Sequence, residues 1–120
     1  MADFALFIGW GEVIPGREQV ATRVFGETVE YFGRLQQEGA IEGMEPFFLE
    51  PHGGDLGGFF LVRGEKDALA RVRTSEEFDR VVLRATMVVQ RVGVVAATTG
   101  AELNRQFGEF ERQSADLLQG

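Results

Sequence analysis

The stretch FALFI at residues 4–8 contains no polar side chain. FFLV at residues 59–62 and VGVVAA at residues 92–97 are apolar in the same way. Successive side chains of a β-strand point to opposite faces of its sheet, so a strand with one wet face alternates apolar and polar residues. These three runs do not alternate. The sequence therefore predicts strands that are apolar on both faces, and each face then needs a cover.

Helices are predicted between and after these runs. Apolar residues recur at steps of three and four over about residues 17–38, which indicates an amphipathic helix. Residues 66–87 predict a helical region in two pieces, because the capping signal TSEE at residues 74–77 interrupts it. A last helix follows Gly100. It carries an apolar side made of Leu103, Phe107, Phe110 and Leu117.

Two of the predicted strands form a β-hairpin. They cover about residues 41–50 and 58–63, and the turn sequence PHGGD separates them. The first of these strands contains Pro46, which has no N–H to donate to a central ladder. We therefore expect this strand at an edge of the sheet.

The element order is β-α-β-β-α-β with an extra C-terminal helix, in a single domain that spans residues 1–120. This order predicts an α+β, ferredoxin-like fold with a four-stranded antiparallel sheet. Right-handed crossovers place the third strand between the first and second, and the first strand between the third and fourth. The two most apolar strands then lie in the centre and the strand with Pro46 at an edge, so independent signs agree.

Helices cover only one face of such a sheet. The other face would expose an apolar patch, which on a globular protein marks an interface. We therefore expect a homodimer that pairs sheet on sheet. The alternative is that the C-terminal helix folds back over this face of its own subunit.

The composition limits the classes of binding partner and the cellular location that we expect. The 120 residues carry 19 acidic and 12 basic side chains, a formal charge of −7, which argues against nucleic acid and anionic membrane surfaces as partners. No cysteine is present, so disulfides and thiolate chemistry are excluded. The N-terminus lacks the basic start of a signal peptide, and no apolar stretch has the length of a membrane span. We expect a cytoplasmic protein.

The element order, the doubly apolar central strands and the C-terminal helix together resemble the dimeric α+β barrel superfamily. The stretch HGGDLGGF at residues 52–59, followed by Arg63-Gly64, is similar to small uncharacterised bacterial members of that group. The superfamily includes cofactor-free monooxygenases, YCII-like proteins and haem-binding relatives of chlorite dismutase. The resemblance therefore implies a fold and a homodimer and leaves the activity open.

His52 is the only histidine, and it lies in the hairpin turn close to Asp55. Such a pair can serve as a general base or proton shuttle, and YCII-like proteins are thought to use a His and an Asp. The alternative is that Gly53-Gly54-Asp55 shapes the turn and His52 caps it. Glu50, His52 and Asp55 do not match a recognised metal-ligand spacing, and a turn tip is not a closed haem pocket. The sequence predicts neither a metal nor a cofactor.

A ligand cleft is predicted between the helices and the sheet. Its aromatic and apolar lining would be Trp10, Tyr31, Phe59 and Leu61, and its polar anchors would be Glu12 and Arg63. Such a cleft suits a small aromatic or polyketide-like molecule. The alternative is that the aromatic residues are ordinary core and that Glu12 and Arg63 form a solvated ion pair.

Two classes of function remain open. The first is a homodimeric module that binds a small apolar or aromatic ligand without chemistry. The second is a cofactor-free monooxygenase or isomerase-like enzyme that acts on a small apolar substrate.

Overall fold

The structure, a computed structural model, describes residues 2–119. Its elements are β1 (Phe4–Trp10), α1 (Glu18–Gln37), β2 (Gly43–Phe48), β3 (Gly58–Gly64), α2 (Lys66–Arg73), α3 (Glu76–Thr86), β4 (Gly93–Thr98) and α4 (Gly100–Gln119). This is the predicted β-α-β-β-α-β order with a C-terminal helix. The second helical region is divided into α2 and α3, as the capping signal indicates.

The four strands form one antiparallel sheet in the order β2-β3-β1-β4. The predicted strand order is confirmed, with β1 and β3 in the centre. Pro46 lies in β2 at the edge, opposite Phe60 of β3. Phe7 in β1 faces Leu61 on one side and Val95 on the other.

One face of the sheet carries the core. Leu6, Ile8, Phe60 and Val62 point toward the helices and pack with Phe32 of α1, which has no exposed surface. Helices α1, α2 and α3 supply the rest of this layer. We call this side of the sheet the helix face.

The opposite side of the sheet is only partly covered by residues 2–119. We call it the open face, and it consists of Ala5, Phe7, Glu45, Phe47, Phe59, Leu61, Arg63, Val95 and Ala97. Phe59 stacks on Phe7 and on Phe47 with ring centroids 4.7 Å apart in each pair. Val95 leaves 57% of its surface exposed. Both faces of the central strands are apolar, as predicted.

Helix α4 does not fold back over the open face. Its apolar side chains are exposed, and the chain measures 57 × 38 × 23 Å with a radius of gyration of 17.0 Å. A compact domain of this length has a radius of gyration of about 14 Å. The predicted alternative, in which the C-terminal helix shields its own sheet, is therefore wrong.

The capping signal before α3 works differently in detail from the predicted box. The N-cap is Ser75, whose Oγ accepts a hydrogen bond of 3.2 Å from the N–H of Phe78. The third helical residue is thus Phe78 and not a glutamate, so the reciprocal half of a capping box is missing. Within residues 2–119, no helix has both the length and the apolar character to cross a membrane.

Two glycines differ in the space available for a side chain. A Cβ on Gly58 would lie 2.6 Å from the carbonyl oxygen of Phe47 and 2.6 Å from the indole ring of Trp10. Gly58 thus lets the Trp10 ring lie flat against the sheet. A Cβ on Gly26 in α1 would meet no atom within 4 Å.

These two glycines give a matched test of the packing. Gly58→Ala should lower the free energy of unfolding by about 1–3 kcal/mol, because the added methyl overpacks against backbone and indole. Gly26→Ala should raise it by about 0.5–1 kcal/mol, because alanine favours the helix. Urea denaturation measures both. Equal stabilities of the two variants would contradict the placement of Trp10.

Candidate functional site

A cavity of about 490 Å³ opens between α1, α3 and the helix face of the sheet. Residues of β1 and β3 form its floor, and the two helices form its walls. Its rim lies where the segment after β1 meets the segment after α3, joined by a single β-bridge between Val13 and Val89. The cavity is therefore framed by regular elements on three sides.

The lining is almost entirely apolar. All of its residues except Gly9, Glu18, Thr22 and Thr28 have hydrocarbon or aromatic side chains. The Thr28 hydroxyl donates to the carbonyl oxygen of Val24 at 2.8 Å, and the Thr22 hydroxyl donates to that of Glu18 at 3.1 Å. Both hydroxyl protons are thus used within α1. The carboxylate of Glu18 accepts from the N–H of Gly16 at 3.1 Å.

Aromatic rings gather in one part of this lining. Trp10 ends β1, Phe48 ends β2 and Phe60 lies in β3, so three neighbouring strands each supply a ring. The ring centroids of Trp10 and Phe60 are 5.1 Å apart, and those of Phe25 and Phe60 are 5.4 Å apart. The indole N–H of Trp10 makes no hydrogen bond within residues 2–119. This cluster offers flat apolar surfaces and one unused donor.

Two ion pairs tie the walls of the cavity together. Arg84 of α3 donates to Oε1 of Glu27 in α1, with distances of 3.0 Å from Nε and 2.8 Å from Nη2. These hydrogen bonds hold the pKa of Glu27 below its usual value. A second pair joins Arg34 of α1 to Glu77 at the start of α3, and this hydrogen bond raises the pKa of Arg34. The two ion pairs thus connect α1 to α3 beside the cavity.

Of the six residues predicted to line a ligand cleft, Trp10 lines the cavity. Phe59, Leu61 and Arg63 lie on the open face, because they occupy alternate positions of β3 that point away from the helices. Arg63 is 3.8 Å from the carboxylate of Glu45 in the neighbouring strand.

The other two predicted residues also lie apart from the lining. Tyr31 is buried in the core beside Phe32, and this burial raises the pKa of its phenol. Glu12 is exposed in the rim segment, where its carbonyl oxygen accepts from the N–H of Gln90 at 2.8 Å. The cavity therefore has a different lining from the predicted cleft.

His52 and Asp55 occupy an exposed turn. Nε2 of His52 lies 2.8 Å from the carbonyl oxygen of Leu56, and Nδ1 accepts from the N–H of Gly54 at 3.3 Å. Asp55 pairs instead with Arg91, at 3.4 Å. Both imidazole nitrogens thus face the backbone of their own turn, and neither residue lines the cavity.

This turn nonetheless lies close to the rim of the cavity. The N–H of Gly57 donates to the carbonyl oxygen of Trp10 at 2.7 Å, which ties the turn to the end of β1.

Across residues 2–119, no group of three His, Cys, Asp or Glu side chains is arranged to hold a metal ion.

Several lining residues were not anticipated from the sequence. Phe25 and Thr28 come from α1, and Val81, Val82 and Ala85 come from α3. Their signal was available, because the apolar stripes of both helices are visible in the sequence. The apolar stripes do not predict that the helices leave a cavity above the sheet.

No protein-family model matches the sequence. No curated protein matches it either.

Solved structures do match the fold. A dimeric protein of unknown function with a ferredoxin-like fold, from Bacteroides fragilis, is 13% identical with a TM-score of 0.55, over 79% of this chain and 95% of that chain. SnoaB, a cofactor-independent oxygenase from Streptomyces nogalater, is 18% identical with a TM-score of 0.56, over 82% and 95%. An antibiotic biosynthesis monooxygenase is 20% identical with a TM-score of 0.54, over 80% and 98%. These matches confirm the predicted ferredoxin-like fold.

Proposed function

We propose that this chain is a homodimeric protein that binds a small apolar or aromatic molecule in the cavity between α1, α3 and the sheet. The single observation that carries the proposal is the cavity itself, with its volume of about 490 Å³ and its apolar walls. Ligand pockets generally measure roughly 300–1,000 Å³ and have mostly apolar linings with few polar groups.

The lining also limits the chemistry of the ligand. The threonine hydroxyls already donate to backbone carbonyls, and Glu18 is the one ionisable lining residue. A cation or a highly polar ligand would lose its hydration without replacement. A fused or linked ring system fits better, because Trp10 and Phe60 supply aromatic surface.

Filling the cavity should weaken ligand binding. Ala85→Leu places a larger side chain in the space, so the affinity for the fluorescent apolar probe N-phenylnaphthylamine should fall at least about tenfold, a change of ~1.4 kcal/mol. Ala70→Leu, on an exposed position of α2 outside the cavity, is the matched control and should bind as the unaltered chain does. Fluorescence titration measures both. Equal affinities would contradict binding in this cavity, provided that thermal unfolding shows both variants folded.

The homodimer is supported by the open face. Phe47 and Val95 are exposed there and Phe7 and Phe59 are half-buried, so residues 2–119 leave an apolar surface in contact with water. A second copy of the same sheet, related by a two-fold axis, would bury this surface on both copies at once. The ferredoxin-like neighbour from Bacteroides fragilis is itself dimeric.

A charge on the open face should separate the two copies. Val95→Lys should weaken self-association at least about tenfold, because the added ammonium would have to be desolvated between two apolar sheets. Leu83→Lys changes an equally exposed leucine on α3, outside the sheet, and should leave the mass unchanged. Sedimentation velocity distinguishes them. Self-association of the Val95→Lys variant as tight as that of the unaltered chain would contradict the open face as an interface.

A second candidate function is a cofactor-free monooxygenase or isomerase-like enzyme that acts on a small apolar substrate. It is favoured by the fold shared with SnoaB and with the antibiotic biosynthesis monooxygenase. In this proposal, His52 would act as a general base and Asp55 would assist from the same turn, which is tied to Trp10 at the cavity rim.

Oxygen uptake tests the enzymatic proposal. With an aromatic ketone that has an acidic C–H, such as anthrone, the unaltered chain should consume dissolved oxygen faster than the spontaneous reaction does. His52→Ala should reduce that rate at least about a hundredfold if the imidazole removes the proton. If the unaltered chain consumes oxygen no faster than the spontaneous reaction, the enzymatic proposal is contradicted and only the binding proposal stands. If His52→Ala consumes oxygen as fast as the unaltered chain, His52 has no catalytic role and only shapes the turn.

A further inference from the structure

Helix α4 contains a seven-residue repeat. Residues 102–108 read ELNRQFG, residues 109–115 read EFERQSA and residues 116–119 read DLLQ. Each repeat opens with an acidic residue and an apolar residue, and the first two continue with Arg and Gln at the same positions. A period of seven is the signature of a helix that packs lengthwise on another helix.

The repeat produces one narrow apolar seam. Its apolar members are Leu103, Phe107, Phe110 and Leu117, and the small polar Ser114 occupies the remaining position, so the steps alternate between four and three. This spacing averages 3.5 residues, as in the contact seam of a two-helix coil. In the single chain the seam has no cover, since Phe110 is 70% exposed and Leu117 is 79% exposed.

The charges of α4 lie on the other side of the helix. Arg105 pairs with Glu102 at 2.6 Å, and Arg112 pairs with Glu109 one repeat later. The positions that flank the seam are Asn104, Gln106, Glu111, Gln113 and Leu118, of which Glu111 alone is charged. Flanking charges set which helices pair in coiled coils. Because Glu111 is the one charged flanking residue, the flanks of this seam would attract a charged partner helix only weakly. They would also cause little repulsion between two copies of α4.

A partner is also required by the helix itself. Gly108 lies in the middle of α4, where glycine costs about 1 kcal/mol relative to alanine. Helices are marginal in water without packing of an apolar face, and α4 buries none of its residues on its own subunit.

We propose that α4 pairs along this seam with α4 of a second copy of the chain. The pairing buries Phe107 and Phe110 of both copies in the middle of the seam and leaves the Glu-Arg pairs in water. The seam residues belong to α4 and not to the open face, so this pairing adds a second contact between copies of the chain.

Opposite charges placed on the seam test this pairing directly. In one full-length variant Phe107 and Phe110 both become Glu, and in a second both become Lys. The changes lie in the middle of the helix, so they meet in either relative orientation of the two copies. Each variant alone should self-associate at least tenfold more weakly than the unaltered chain in sedimentation velocity. An equimolar mixture should recover the association, because unlike charges then face each other. A mixture no better than its components would overturn the pairing of α4 with α4.

Helical content gives a second readout. Phe107→Gln with Phe110→Gln raises intrinsic helix propensity, so an unpaired α4 would keep or gain circular dichroism at 222 nm (the far-ultraviolet helix band). Pairing predicts a loss of signal instead, and an unchanged signal would contradict it. Asp116→Gln on the charged side is the control and should change neither readout. Binding of N-phenylnaphthylamine should persist in all of these variants, so a failed pairing is distinguishable from a failed cavity assignment.

Discussion

The structure depends on a sheet whose two central strands are apolar on both faces. Leu6, Ile8, Phe60 and Val62 bury their side chains under the helices, while Phe7 and Phe59 point the other way. Apolar surface gains roughly 25 cal/mol per Å² when it leaves water. On the helix face, the helices of the same chain bury this surface and provide the stabilisation. On the open face, the same stabilisation requires contact with another molecule. The proposed homodimer therefore rests on the composition of β1 and β3.

The same arrangement explains why a cavity exists on the helix face. Helices α1 and α3 pack on the helix face of the sheet, and the ion pairs Glu27–Arg84 and Arg34–Glu77 bridge them. Small residues, among them Ala21 and Ala85, face the space between them. The helices thus cover the sheet without filling the volume above Trp10 and Phe60. A ligand of the right shape would complete the packing that the chain itself leaves open.

The sequence predicts the topology well because several independent constraints agree on it. Unbroken apolar runs identify β1 and β3, Pro46 assigns β2 to an edge, and crossover handedness then determines the strand order. The candidate site is harder to predict from the sequence, for one physical reason. The two-residue period shows that Phe59, Leu61 and Arg63 share a face, but both faces of β3 are apolar, so the pattern cannot say which face the helices cover. For α4, the period identifies the apolar stripe without identifying its partner.

Hydroxyl-radical footprinting of the unaltered chain tests the central claim most directly, because Phe47 and Phe48 are consecutive in β2 and point to opposite faces of the sheet. In the single chain both rings are exposed, Phe48 more so. If a second copy covers the open face, Phe47 and Phe59 should be oxidised as slowly as the fully buried Phe32, while Phe48 at the cavity rim reacts freely. Rapid oxidation of Phe47 and Phe59 at micromolar protein would show a sheet in contact with water and would contradict the account.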